Sequence, residues 1–510
     1  MRWLEAINPF TVVGVTALCT ATAAWPQACE QPDTLKLRAT VSADQVQRAN
    51  APRELFGFNV PWRDFQMGYL QGDGEVRSEL IELLKPFKGA LYRYPGGTPS
   101  NWFDWGEATR GPREKRIALH ADYERYAKAD FGPDEFARFV QAVDGRAILT
   151  LNLMGPYKKP LPPAELKGPS RQFAEVVKST PGFGCAGGKG CRVMALELGN
   201  ELDWEPYKIG AAEYVERAEA ARAEVNTVLP DAVWVAHGRS APWGLKAEDT
   251  AAFNKELART LAPRVQGFAI HPYYDGIDVP SAIGYVRNFG DTWKAMRPDA
   301  QVYVTEHARW PAEPPKGSKA KWQDNWYQAS GLGGAISTAD FMLALMPMTS
   351  VAAANWHALA TQGPWQLVRR DAGSNKLFAS PIYWGMRVLR DAYLDDVVKL
   401  DYQPTKAARY GGGYDQRLVA MRGADGRVSV LGINRAQQPM ALDIDWAGAK
   451  RRAAGRAQLR FITAEDTSID NDAAQPRKVE MQTQAASVAA DRKRSSWCVP
   501  ARSVFSIVEP

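Results

Sequence analysis

Between residues 54 and 393 the chain alternates eight times between a short apolar run and a longer segment of helical spacing. That alternation is what most limits the fold. An apolar strand followed by a helix has to return to the same end of the sheet before the next strand begins. Successive strands therefore pair in parallel. Eight such units are the content of a (β/α)8 barrel, an α/β fold. The strand candidates are residues 54–62, 89–97, 147–155, 194–199, 232–238, 265–274, 301–310 and 350–359. The helix candidates between them are 75–85, 132–145, 172–178, 211–228, 251–261, 282–296, 334–346 and 381–393. The helix at 132–145 is the best punctuated, with Pro133 at its start, Asp134 and Glu135 in its first turn and Gly145 at its stop.

The pattern changes near Asp395. Residues 417–435 read as a hairpin, two alternating runs joined by Ala-Asp-Gly. Further short strands follow at close intervals, so 396–510 reads as a β-sandwich domain behind a barrel domain at 50–395. Near the N-terminus, in residues 33–48, the stretch TLKLRATVSA alternates as a half-buried strand does, with no helix after it. It is expected to complete the sandwich and bring the two ends of the chain together. The polar, Gln/Ala-rich segment 471–494 reads as a long exposed loop.

Residues 1–24 have the form of a secretory signal: Met1-Arg2, a mildly apolar small-residue run, and Ala21-Thr22-Ala23 as a small-x-small cleavage pattern. The run is too short to span a membrane. Cys19 would allow a lipoprotein anchor, but Leu18 is large for that motif. A secreted or periplasmic location follows. It leaves four cysteines, an even count that suits an oxidising compartment. Cys185 and Cys191 flank the Gly-rich pentapeptide AGGKG and are close enough to bridge; a metal site is the alternative for that pair. Cys29 and Cys498 would bridge if both termini share the sandwich. The net charge of +6 is spread along the chain without a basic run, which argues against nucleic acid as a partner. The five histidines lack HxH and HxxxH spacing, so neither a metal nor any other cofactor is expected.

Two strand candidates end in a glutamate: MALELGNELDW at Glu201 and QVYVTEHARW at Glu306. The C-terminal ends of barrel strands are where barrel enzymes carry their chemistry. Two carboxyl groups facing each other there are what retaining glycoside hydrolysis requires, one as acid and then base, the other as nucleophile. A single glutamate where a strand meets a loop is ordinary; a pair on the fourth and seventh strands of one barrel is a constellation. The aromatic residues at or just past strand ends, Trp102, Trp105, Trp204, Tyr274, Trp310 and Trp356, are the natural stacking surface for sugar rings. At least three of them are expected to line the cleft.

Several blocks resemble glycoside hydrolase family 51: RYPGG at 93–97 with NWFDW and GPREKR after it, FGPDEF at 131–136, LGNE at the fourth strand and IHPYY at the sixth. The similarity spans residues 56–356. The resemblance implies a retaining α-L-arabinofuranosidase-like enzyme acting on oligo- or polysaccharide. Carried over, Glu201 becomes the acid/base and Glu306 the nucleophile. Asn200 would bind the hydroxyl beside the anomeric carbon. Arg93 and Tyr273 would hold the nucleophile ionised and oriented. The acid must start the cycle protonated and the nucleophile ionised. His271 either joins the chemistry or serves as a structural hydrogen-bonder. The family places an acid after strand one and Asn after Gly-Gly, where this chain has Asn59-Val60-Pro61 and Thr98. It also tends to Glu-Trp-Asn where this chain has Glu306-His307-Ala308. Gly-Gly-Thr and LELGNE are also similar to family 79, so a β-glucuronidase or other β-glycosidase is the alternative sugar reading. The alternative outside enzymes is an inactive carbohydrate-binding barrel.

Overall fold

The computed structural model describes residues 29–510 apart from 64, 66, 73, 121–124, 157–158, 188–189, 205–206, 240–246, 276–278, 362, 405–414, 449–453 and 491–492. The expected signal segment lies outside the described residues. Eight parallel strands close a barrel: Gly57–Asn59, Leu91–Tyr94, Arg146–Leu151, Val193–Leu198, Trp234–His237, Gly267–Ile270, Gln301–Trp310 and Val351–Trp356. Each pairs in parallel with the next, and the eighth closes on the first through Asn355 opposite Gly57. A short extension, Tyr273–Asp275, continues the line of the sixth strand and pairs with the end of the seventh.

The barrel is filled from inside by one side chain from each of seven strands: Leu91, Ile148, Ala195, Val235, Ala269, Tyr303 and Ala353. Gly57 takes that place on the first strand. A Cβ there would lie 2.6 Å from the Leu91 carbonyl oxygen and 2.7 Å from Asn355 Nδ2, so no larger residue fits between its neighbours. The outer faces of the strands pack on helices, including Pro133–Ala142, Lys167–Ser179, Ala211–Asn226, Val279–Met296, Leu332–Leu345 and Pro381–Arg390. Leu332–Leu345 is buried along its whole length, because the barrel lies on one side of it and the second domain on the other.

That second domain is one continuous sheet of nine strands that curls around its own core. The N-terminal strand, Leu35–Arg48, lies inside it, antiparallel to Asp396–Tyr402 and parallel to Met440–Ala447. Leu37, Ala39, Val41 and Ala43 face the core, the period-two pattern of a half-buried strand. The hairpin forms as Gln416–Arg422 and Val428–Asn434. Cys29–Cys498 and Cys185–Cys191 are both bridged, with Cα separations of 5.7 and 4.4 Å. Among the described residues no helix is long and apolar enough to cross a membrane.

One expectation fails. The segment 471–494 is not a long exposed loop. Asn471 is buried, its amide donating to the Ala379 and Val479 carbonyls and accepting from the Val479 N–H. Gln482–Val488 then forms an edge strand on Gly455–Ile462, and Arg494–Val499 begins the strand after it. An edge strand exposed on both sides along most of its length has no need of apolar residues, so QTQAASV reads as a polar loop.

Candidate active site

Glu201 and Glu306 reach the same cleft, of about 560 Å³, at the C-terminal mouth of the barrel. The fourth strand delivers Asn200 and Glu201 in a tight turn. Glu201 has φ 46°, a left-handed backbone that non-glycine residues seldom adopt. Asn101, from the turn after the second strand, clamps that turn from both sides. It donates to the Asn200 carbonyl at 2.8 Å and accepts from the Asn200 N–H at 3.2 Å.

The seventh strand has a bulge at the site. Val304 pairs with Ala354 and His307 with Trp356, so Thr305 and Glu306 together stand opposite the single residue Asn355. A bulge re-aims side chains next to it. Both Thr305 and Glu306 therefore join the polar network inside the mouth, where strict alternation would have sent one of them outward.

Arg93, on the second strand, is wholly buried beneath the cleft. It donates to Glu306 Oε1 at 2.8 Å, Asn200 Oδ1 at 2.8 Å, Asn59 Oδ1 at 3.2 Å and the buried carboxylate of Glu197. The other oxygen of Glu306 accepts from Tyr273 Oη at 2.8 Å and lies 3.2 Å from His357 Nδ1 and 3.8 Å from His271 Nδ1. Burial alone would raise the Glu306 carboxyl. His271, His357 and Arg93 together outweigh it and hold the group well below the usual carboxylate range. Glu201 keeps its side chain about a quarter exposed and touches His271 Nδ1 through Oε1 at 2.7 Å. A carboxylate oxygen of Glu201, one of Glu306 and a ring nitrogen of His271 all lie within 4.8 Å of one another. Burial, followed by Glu201, pushes nearby Asp203 up to about 6, with Arg239 opposing at 3.3 Å.

Asn200 turns its Oδ1 to Arg93. Its Nδ2 is buried and has no partner among the described residues, a donor left for something outside the chain. Asn59 occupies the place of the family's acid. It accepts from Arg93 and donates to the Thr305 carbonyl at 2.8 Å. Gly96 is required by that packing, since a Cβ there would fall 1.9 Å from Asn59 Oδ1. Thr98 lines the cleft where the family carries Asn.

The aromatic wall is thinner than expected. Trp204 and Trp310 line the cleft, with Tyr273 set edge-on to Trp310. Trp102, Trp105, Tyr274 and Trp356 do not line it. Trp102 is covered, its indole N–H on Tyr207 Oη. Trp105 packs into a core of Tyr94, Phe103 and Phe173. Tyr274 and Trp356 fail for a shared reason: successive residues of a strand face opposite sides. Tyr273 points inward, so Tyr274 points out onto Thr338 and Phe341 of the outer helix. Trp356 likewise faces His307 and bonds the Trp365 carbonyl.

The same alternation carries His357 into the cleft. Counting by twos from Ala353 would have found it. Glu197, Thr305 and His237 were also missed, and only Glu197 left a sequence signal: a charged residue in the middle of an apolar strand is seldom buried unless it is paired. The atoms of Glu197 are engaged by Arg93, Thr150 and Thr305 and those of His271 by Glu201 and Thr305, the arrangement of a hydrogen-bonded network.

No family model matches the chain, and no curated protein matches its sequence. Solved structures do share its fold. The family 51 arabinofuranosidase from Xanthomonas axonopodis pv. citri superposes with a TM-score of 0.75 at 18% identity, covering 93% of this chain and 100% of that one. A family 51 α-L-arabinofuranosidase from Bifidobacterium longum gives 0.75 at 17%, covering 94% and 100%. The α-L-arabinofuranosidase from Thermotoga maritima, solved with arabinose, gives 0.74 at 15%, covering 92% and 99%. Barrel and curled sheet are thus shared over more than nine tenths of this chain.

Proposed function

We propose that the protein is a retaining glycoside hydrolase with Glu306 as nucleophile and Glu201 as acid/base. The observation that carries this reading is the approach of the two carboxylates, with oxygens within 4.8 Å. Retention needs carboxyl groups about 5–5.5 Å apart, so that one reaches the anomeric carbon directly; inversion needs about 6.5–9.5 Å to admit water. The surroundings divide the labour. Glu306 is held ionised by His271, His357 and Arg93, as a nucleophile must be, and is oriented by the Tyr273 hydroxyl. Glu201 faces the open cleft, where a leaving oxygen would sit. Asn200 offers its unpartnered N–H to the hydroxyl beside the anomeric carbon. Trp204 and Trp310 offer apolar ring faces.

The sugar we infer is neutral and arabinofuranose-like. Family 51 α-L-arabinofuranosidases superpose with TM-scores up to 0.75, above a family 44 xyloglucanase at 0.62 and a bacterial α-L-iduronidase orthologue at 0.60, and among the described residues lining the cleft none is lysine or arginine to pair with a uronate. The two disulfides support folding in an oxidising compartment, as for a secreted or periplasmic enzyme.

A panel of aryl arabinofuranosides, xylosides, glucosides and glucuronides tests the sugar. The anomeric configuration of the first-formed product, read by NMR, tests the mechanism. Glu306→Ala should abolish turnover. Glu201→Ala should hurt poor leaving groups most, and azide should partly restore turnover of activated glycosides. Product of inverted configuration would rule the retaining assignment out.

A further inference from the structure

Donor and acceptor accounting around His271 settles where one of its protons lies. Glu197 is wholly buried on the fourth strand. Paired with the Arg93 guanidinium, its carboxylate only accepts: from Arg93 Nε, from the Thr150 hydroxyl at 3.0 Å and from the Thr305 hydroxyl at 2.8 Å. Thr305 has a single hydroxyl proton, and it goes to Glu197. The Thr305 oxygen is then left to accept from His271 Nε2, 2.9 Å away. His271 Nε2 therefore carries a proton.

The fifth strand agrees. His237 Nε2 lies 3.4 Å from the same nitrogen. Burial first, with His271 and Arg93 adding to it, holds the His237 imidazole well below its usual range and so neutral, able to accept. A neutral imidazole protonated on Nε2 has a bare Nδ1. Yet His271 Nδ1 stands 2.7 Å from Glu201 Oε1. Two lone pairs repel at that distance, so the contact contains a proton.

We propose that Glu197 and Thr305 are positioning residues that lock the proton on His271 Nε2, and that His271 and Glu201 thereby act as a one-proton pair. This rests on the retaining reading above. In the first step the glycosidic C–O bond breaks, Glu306 bonds to the anomeric carbon, and the pair's proton leaves with the departing oxygen as an alcohol. In the second step water attacks, the bond to Glu306 breaks, and the proton lost by water returns to the pair. Between steps the lock leaves a Glu201 carboxylate against a bare Nδ1, which makes the pair a good base. Without the lock, neutral His271 moves its proton to Nδ1 and donates it to the Glu201 carboxylate. That stabilises the unprotonated pair, which cannot act as acid.

Charged and titratable groups meet the pair from every side. Glu306 comes from the seventh strand, Arg93 from the second, His237 from the fifth and Asp203 from the turn beside Glu201, and Tyr273 follows on the same strand as His271. Burial disfavours charge on His271, but Glu306 and Glu201 outweigh it and push its imidazole up.

The test compares the chain with Thr305→Val, which removes the hydroxyl at nearly constant shape, and Thr305→Ser, which keeps it. Nitrogen NMR of His271, recorded without substrate and above the pH at which the pair loses its proton, should show the Nε2–H tautomer in the wild type and in Thr305→Ser. Thr305→Val should show Nδ1–H. For a glycoside with a poor leaving group, the basic limb of kcat/KM should fall by roughly one pH unit in Thr305→Val, the worth of one hydrogen bond. Thr305→Ser should restore it, and an activated aryl glycoside should scarcely respond. An Nδ1–H tautomer in the wild type, or a basic limb unmoved in Thr305→Val, overturns the lock. The tautomer is read without turnover, so it decides the lock even for a chain that hydrolyses no glycoside, an outcome that would sink the functional reading alone.

Discussion

A single guanidinium explains much of the site at the scale of residues. Arg93 ties together Asn59 from the first strand, Glu197 and Asn200 from the fourth and Glu306 from the seventh, and its planar fork fixes their relative positions. Glu201 and Glu306 were legible as carboxylates at two strand ends, whereas Arg93, Asn200 and Tyr273 were pointed to by the family resemblance, and all five meet in one network. His357 was not legible, since its neighbour Trp356 looked the better ligand for a sugar. His357 Nδ1 meets Tyr273 Oη at 2.6 Å and Glu306 Oε2 at 3.2 Å, so it supports Glu306 directly and through the tyrosine. The sign of its effect follows. A carboxyl held low stays ionised as the pH falls, and activity that needs the ionised form is lost only near the lowered pKa. Removing a group that lowers it leaves burial less opposed, and the pKa rises. His357→Ala should therefore shift the acid limb of kcat/KM to higher pH, while the basic limb, assigned above to a group His357 does not touch, stays in place. A pH profile of both limbs checks this; an unmoved acid limb would show that Arg93 and His271 suffice.

Strand parity decides which aromatic residues reach the cleft at the scale of elements. Eight apolar runs and their helices were legible because period and punctuation are local properties of the sequence. Facing was not, because one bulge reverses it for every later residue of a strand. Nothing in VYVTEHARW marks the bulge at Thr305 and Glu306; it is set by pairing with the eighth strand. The polar edge strand Gln482–Val488 was hidden for another reason, that an edge buries too little to need an apolar pattern. These facings separate two tryptophans that look alike in sequence. Trp356 is fully buried on the barrel's outer side, whereas Trp310 stands part-exposed at the cleft. Trp356→Ala should cost about 3–5 kcal/mol of stability, the range for a large aromatic lost from a core. The melting temperature should fall, with KM little changed in what remains folded. Trp310→Ala should leave melting nearly unchanged and raise KM by roughly threefold to tenfold, the worth of an aromatic contact. Calorimetry and steady-state kinetics on both variants check the pair, and the reverse pattern would show the facings to be wrong.

At the scale of the whole molecule, barrel and curled sheet meet over a surface that is both apolar and ionic. The helix Leu332–Leu345 is apolar on all sides but carries Asp340, buried where the sheet domain covers it. Asp340 takes Arg435 Nη2 at 2.9 Å on one oxygen and Arg417 Nε on the other. Past the end of that helix, Arg48 of the N-terminal strand donates to the carbonyls of Met346, Met348 and Val351 at 3.1, 2.8 and 2.6 Å. At the helix start, Leu332 and Gly333 donate to the Ile469 and Thr467 carbonyls of the loop that reaches over from the sheet. The helix is thus held along its length by a domain that contributes no residue to the described lining of the cleft. Asp340 is the point of highest leverage. A buried ion pair adds little net stability when intact, but losing one partner strands the other's charge, at about 3–5 kcal/mol. Asp340→Ala takes the shared carboxylate from Arg417 and Arg435 at once, leaving Arg435 with the Ser337 hydroxyl and the charge of Asp415. The wild type should melt in a single transition, because neither domain can shed the other without exposing the helix. In Asp340→Ala the first melting event should come earlier and split from the second, as the sheet releases before the barrel. Activity measured well below that first event should match the wild type, since Asp340 touches none of the residues that line the cleft. Calorimetry with parallel activity measurements decides it: one unshifted transition would mean that apolar packing alone joins the domains, and lost activity at low temperature would mean that the helix transmits the damage to the barrel mouth.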